Sequence, residues 1–166
     1  MSDAWSYVEQ RRVFRHVTNE APDPLLVEET ALRILWRLLS GARNLPPPPV
    51  ARGAVALSEA VKGLLARSFA DRLTLGQLAR SLDTSVFHLC RAFRAATGTT
   101  IHAYLSQVRL RASLEPLLDG TTPVTDIALA HGYSSHSHYS SAFRAALGMT
   151  PSDARQARHA PSIMVP

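Results

Sequence analysis

A chain of 166 residues is long enough for one good hydrophobic core or two small ones. Its 46% hydrophobic and 19% charged residues are ordinary for a globular protein, its single cysteine excludes an internal disulfide and a cysteine-built zinc site, and no apolar run approaches the ~20 residues that span a bilayer. The net charge is +5, and 17 of the 18 cations are arginine, whose planar fork suits phosphate oxygens and guanine edges. No charged-then-apolar leader opens the chain, so a reducing, cytoplasmic setting is expected.

Residues 1–22 alternate weakly between apolar and basic positions, as an edge strand or a basic arm would. Asp23-Pro24 then reads as a helix cap and first helical residue. Leu25, Leu32 and Leu39 follow seven apart, Leu35 adds a second row, and Gly41 fits as the C-cap. That much apolar surface needs a cover: the rest of this chain, a second copy through residues 25–39, or a domain absent from this chain. Pro46 to Pro49 favour extended polyproline II and break any helix. The organisation expected is a helical N-terminal segment at 1–45, a proline-rich linker at 46–53, a larger helical domain at 54–158 and a tail at 159–166.

From Val55 onward the periodicity is helical. Leu57-Ser58 opens a helix with Val61, Leu64, Leu65 and Phe69 on one face. Thr74 to Gln77 forms a capping box, Asp83-Thr84 makes a turn, and Ser85 caps a helix closed by Gly98. Thr100 caps a helix to Gly120 that carries Pro116, where a kink or early ending near 112–116 is expected. Nineteen helical residues at 1.5 Å rise span ~28 Å, close to the ~34 Å between successive major grooves on one DNA face. Thr122-Pro123 starts another short helix, His131-Gly132-Tyr133 is a turn, and Ser134 or Ser135 caps a helix ended by Gly148. Thr150 to Asp153 opens a last short helix.

The second half repeats the first. Phe93-Arg94-Ala95-Ala96-x-Gly98 recurs as Phe143-Arg144-Ala145-Ala146-x-Gly148, fifty residues on, and Leu78-Ala79 recurs as Ile127-Ala128, forty-nine on. The second copy therefore holds one extra residue at its turn. Two helix-turn-helix units joined by a long helix make an all-α, DNA-reading architecture of homeodomain-like three-helical units.

The spaced set Arg109-Leu110, Ile127-Ala128, Gly132-Tyr133, Phe143 and Gly148-x-Thr150-Pro151 resembles the AraC/XylS family of bacterial transcription regulators, over about residues 57–156. The resemblance implies a seven-helix domain whose two units enter adjacent major grooves of double-stranded DNA, with RNA polymerase as a partner of its activators. It also implies a separate N-terminal sensor, for which the residues before this domain are too few, so that they read as a remnant. By position, Val86, Phe87, Cys90, Arg91 and Arg94 of the first reading helix face outward, with Leu89 and Phe93 inward. In the second, His136, Ser137, His138 and Ser141 face outward, with Arg144 near the helix end and Tyr139 and Phe143 inward. The family usually carries arginine where this chain has Ser141. Arg91 is the base-reading candidate, and Phe87 can pack on a thymine methyl.

Other chemistry is poorly supported. Cys90 as nucleophile or alkyl acceptor needs a base, and His88 lies on another helical face. His136 and His138 diverge at a spacing of two, with no cysteine or acid to complete a metal set. The expectation is a transcription regulator acting as an activator, without catalysis, cofactor or metal; the alternatives are a repair-type protein with Cys90 as alkyl acceptor and a truncated, inactive fragment.

Overall fold

The computed structural model describes residues 23–43 and 53–159; side chains at 38–43 and at 159 are not described. The expected arm at 1–22, the proline run and nearly all of the expected linker, and the tail beyond 159 lie outside these residues. Within them there are eight helices and no strand: α1 (Pro24–Arg43), α2 (Ala54–Arg67), α3 (Leu75–Ser81), α4 (Val86–Thr97), α5 (Ile101–Asp119), α6 (Val124–Ala130), α7 (His136–Leu147) and α8 (Pro151–His159). They gather into two compact units, the first ending at Leu105 and the second starting at Ser106, so the division falls inside α5.

The first unit closes on Val61 and Leu65 of α2, Leu75 and Leu78 of α3, Leu89 and Phe93 of α4, and Ile101 and Leu105 of α5. Leu25 of α1 is fully buried in the same cluster, and Leu32 packs against it. Leu25 and Leu32 of α1 thus find cover inside their own chain, whereas Leu35 is 52% exposed. Two acids fasten it: Glu28 accepts from the first amide of α3, Leu75 N, at 2.6 Å, and Glu29 accepts from Ile101 N and His102 N at 2.9 and 3.1 Å. Each carboxylate satisfies N–H groups that a helix start leaves open, where the helix dipole also favours negative charge. Asp23 caps α1 itself, accepting from Leu25 N at 3.0 Å.

The second unit closes on Leu110 and Leu117 of α5, Ile127 and Ala128 of α6, Tyr133, and Tyr139 and Phe143 of α7. Arg155 of α8 donates to the carbonyls of Leu117 and Thr122 at 2.9 and 2.8 Å, satisfying the end of α5. Arg109 is 4% exposed, with its guanidinium 6.0 Å from the centre of the Tyr133 ring, so it belongs to this core.

Three expectations need correcting. Helix α5 does not end near 112–116 but runs through Pro116 to Asp119. The proline removes the amide that would bond to the carbonyl of residue 112, and fully buried Leu117 with the Arg155 bond holds the last turn in place. Helix α2 begins at Ala54 behind a left-handed Gly53 at φ 95° instead of at Leu57-Ser58. Ser58 is a buried helical residue bonding back to Val55 O at 2.8 Å, not a cap. Helix α1 continues past Gly41 to Arg43.

Candidate nucleic-acid interface

In the first unit the sequence builds a helix, a tight turn and a second helix from local chemistry. The hydroxyl of Thr74 accepts from Gln77 N at 3.1 Å while the Gln77 side chain accepts from Thr74 N at 2.8 Å, a reciprocal cap on α3. Asp83 takes the left-handed conformation at φ 48°, which a short polar side chain tolerates. Ser85 accepts from His88 N at 3.2 Å and starts α4, and Gly98 at φ 73° ends it.

Helix α4 buries Leu89, Ala92 and Phe93. On its other side Phe87 is 37% exposed and Arg94 exposed, with Arg91 half-buried. The Arg91 guanidinium lies 5.5 Å from the centre of the Phe87 ring, so the two side chains form one apolar and cationic surface. Val86 and Cys90, both expected to face outward, are half-buried and pack against the first core. Burial pushes the Cys90 thiol up to about 12, and the charges of Glu29 and Glu28 act in the same direction. A thiol held protonated in this way is a poor nucleophile.

One residue at this surface was not singled out from sequence. The Trp36 ring of α1 lies 4.9 Å from the Phe87 ring, tilted by 48°. Only its place in an apolar helix marked it, and nothing local says that such a helix meets α4.

The second unit repeats the device. Gly132 takes the left-handed turn position at φ 79°, Ser135 accepts from His138 N at 3.1 Å, and Gly148 at φ 76° closes α7. His136, Ser137, Ser141 and Arg144 are exposed, as expected for a reading face. His138 departs from that expectation. It is half-buried, its Nδ1 shares a hydrogen bond of 3.1 Å with the Ser134 hydroxyl, and its ring stands edge-on to Tyr133 at 5.3 Å. It braces the turn. His131, likewise, bonds through Nδ1 to Ile127 O at 2.7 Å. No group of three metal-binding side chains occurs among the described residues.

Tyr133 N bonds to Ala128 O at 3.0 Å, as Thr84 N bonds to Ala79 O at 3.0 Å. The offset is still forty-nine there and fifty at the capping serines, so Ser134 is the extra residue of the second turn.

This geometry is that of paired helix-turn-helix units, and residues 78–157 match a family model described as a helix-turn-helix domain. The bifunctional transcriptional activator/DNA repair enzyme AdaA of Bacillus subtilis is 31% identical over 90 residues, 54% of this chain and 43% of AdaA. The HTH-type transcriptional activator RhaS of Escherichia coli is 34% identical over 90 residues, 54% of this chain and 32% of RhaS. A crystal structure of a transcriptional regulator with an AraC-type DNA-binding domain, from Chromobacterium violaceum, aligns with a TM-score of 0.59 at 26% identity, covering 67% of this chain and 99% of that one. Residues 78–157 thus form a helix-turn-helix domain similar to AraC-type DNA-binding domains. It spans less than half the length of either curated relative.

Proposed function

We propose that this chain is a sequence-specific transcription regulator that binds double-stranded DNA and reads two major-groove segments with α4 and α7. The observation that carries the reading is the repeat of one device: a left-handed turn, a serine cap, and a helix with an aromatic residue buried on one side and arginine exposed on the other. In this reading Arg91 pairs with a guanine edge, Phe87 packs on a thymine methyl, and Arg94 and Arg144 meet phosphates. Cys90 and Val86 stand at the edge of the first contact, while His136, Ser137 and Ser141 make the second. His138 contributes through the turn it holds.

Both relatives are named as transcriptional activators, which favours activation, with RNA polymerase as the further partner, in a cytoplasmic and nucleoid-associated setting. No described helix is long and apolar enough to cross a membrane. A homodimer through residues 25–39 would have to use what α1 leaves outside: Leu25 and Leu32 are spent on the first core, and Leu35 is 52% exposed.

AdaA's name favours a second reading, in which Cys90 accepts an alkyl group from damaged DNA. The half-buried, protonated thiol speaks against it. Selecting bound sites from random DNA tests the first reading: enrichment of one site about two major-groove turns long supports it, and no enrichment refutes it. Mass spectrometry of Cys90 after exposure to methylated DNA tests the second.

A further inference from the structure

Helix α1 lies along the outward stripe of α4. Phe87, Cys90, Arg91 and Arg94 follow one another at spacings of three and four, so they share one face of that helix. All four line a single cavity with Leu32 and Trp36 of α1. The two helices run in opposite directions. Glu29 bonds to Ile101 N just past the end of α4, while Trp36, seven residues later, meets the Phe87 ring at 4.9 Å near its start. Seven helical residues rise ~10 Å, which is also the length of the stripe from Phe87 to Arg94. Other contacts hold α1 in this place: Leu25 is fully buried in the first core, and Glu28 accepts from Leu75 N at 2.6 Å.

Taking α4 as a DNA-reading helix, on which this rests, we infer that α1 is an autoinhibitory helix: it occupies the reading face of α4, and the chain binds its DNA site only when α1 has left that face. The major groove is about 12 Å wide and admits one helix of ~10–12 Å diameter. A second helix packed on the first stands only about 8–10 Å from it, axis to axis, so both cannot enter. Phe87, 37% exposed, and Arg94 keep part of their surface open. Helix α1 therefore closes the stripe from one flank, and that is enough to block entry. DNA and docked α1 are alternative occupants of one surface, so the apparent affinity for DNA is reduced to the fraction of molecules in which α1 is off.

The test uses the full chain and DNA sites selected in parallel by the wild type and by Trp36→Ala, which alters no residue assigned to DNA. Trp36→Ala should bind the selected site roughly two- to tenfold more tightly, the range that loss of one aromatic contact allows. Glu28→Ala frees α1 at its other end and leaves the Thr74 and Gln77 cap of α3 in place, and it should tighten DNA binding in the same direction. A second readout follows α1 itself. Trp5→Phe leaves Trp36 as the one tryptophan of the chain. Adding DNA should then shift its emission to the red and make it more accessible to acrylamide. Unchanged or weaker DNA binding by both Trp36→Ala and Glu28→Ala overturns the inference while the regulator reading stands. So does a Trp36 that DNA leaves unmoved or shields from acrylamide. Selection of no site by either protein overturns the regulator reading, and autoinhibition falls with it.

Discussion

The hydroxyl of Tyr139 meets the hydroxyl of Ser113 at 2.9 Å inside the second core, where both residues are fully buried. Ser113 Oγ also bonds to Leu110 O at 2.8 Å, and a carbonyl only accepts, so the serine's one proton goes there and Tyr139 is the donor to Ser113. Burial raises the Tyr139 pKa above its usual value. The pair lets a tyrosine occupy a position that Leu89 fills in the first unit, fifty residues earlier.

The two halves of that bond should differ in cost. Ser113→Ala strands a buried phenol and should destabilise the chain by about 1–3 kcal/mol. Tyr139→Phe leaves Ser113 still donating to Leu110 and should cost about 1 kcal/mol or less. Urea unfolding of both variants checks the order. Equal losses would mean that water reaches the phenol.

Glu29 should give a pH dependence of unusual sign. Burial raises its pKa, against the lowering effects of the His102 and Ile101 amides, the Thr100 hydroxyl and Arg33. The folded chain therefore holds this proton more tightly than the unfolded chain. The group's stabilising contribution is full below its ordinary value of 4.5 and declines as pH rises through the raised one. Wild type should gain stability relative to Glu29→Gln as pH falls through the raised value towards 4.5, read from urea midpoints of both proteins. A relative loss on acidification would reverse the assigned direction.

Local chemistry was legible in the sequence because it is written in adjacent residues. Thr74, Ser85 and Ser135 cap within three positions, Asp83 and Gly132 sit where the turn goes left-handed, and the inward pairs Phe93 and Phe143 follow from helical spacing. Contacts across long separations were not. Glu28 reaches an amide 47 residues away and Glu29 one 72 away, and no periodicity encodes which helix start an acid will cap. The contact of Trp36 with Phe87 was hidden for the same reason. His138 was misplaced because helical position alone puts it near the surface, whereas the extra residue Ser134 supplies the hydroxyl that draws it back.

Arg91→Ala should cost about 1–3 kcal/mol in DNA binding and relax one base position of the selected site. Its contact with Phe87 places the fork beside an apolar ring that can orient it. Titrations against the site and single-base variants decide the role. A uniform loss across all sequences, with preference kept, would make Arg91 a phosphate contact.

Ser141→Arg should strengthen the weaker unit. The exposed face of α7 has Arg144 near its end and no other arginine, where α4 has Arg91 and Arg94. The added fork should tighten binding by about 1–3 kcal/mol and sharpen preference in the half-site that α7 reads. Unchanged affinity and preference would mean that position 141 does not reach the groove.

The most direct measurement is a fluorescence anisotropy titration of the full chain, at one fixed salt concentration, against its selected DNA site, two versions with one half-site scrambled and a fourth with both scrambled. Scrambling either half should weaken binding, and scrambling the half read by α4 should weaken it more. Scrambling both should bring affinity to the non-specific level, typically 10³-fold or more weaker than a specific site. Equal affinity for all four DNAs would contradict sequence reading by α4 and α7.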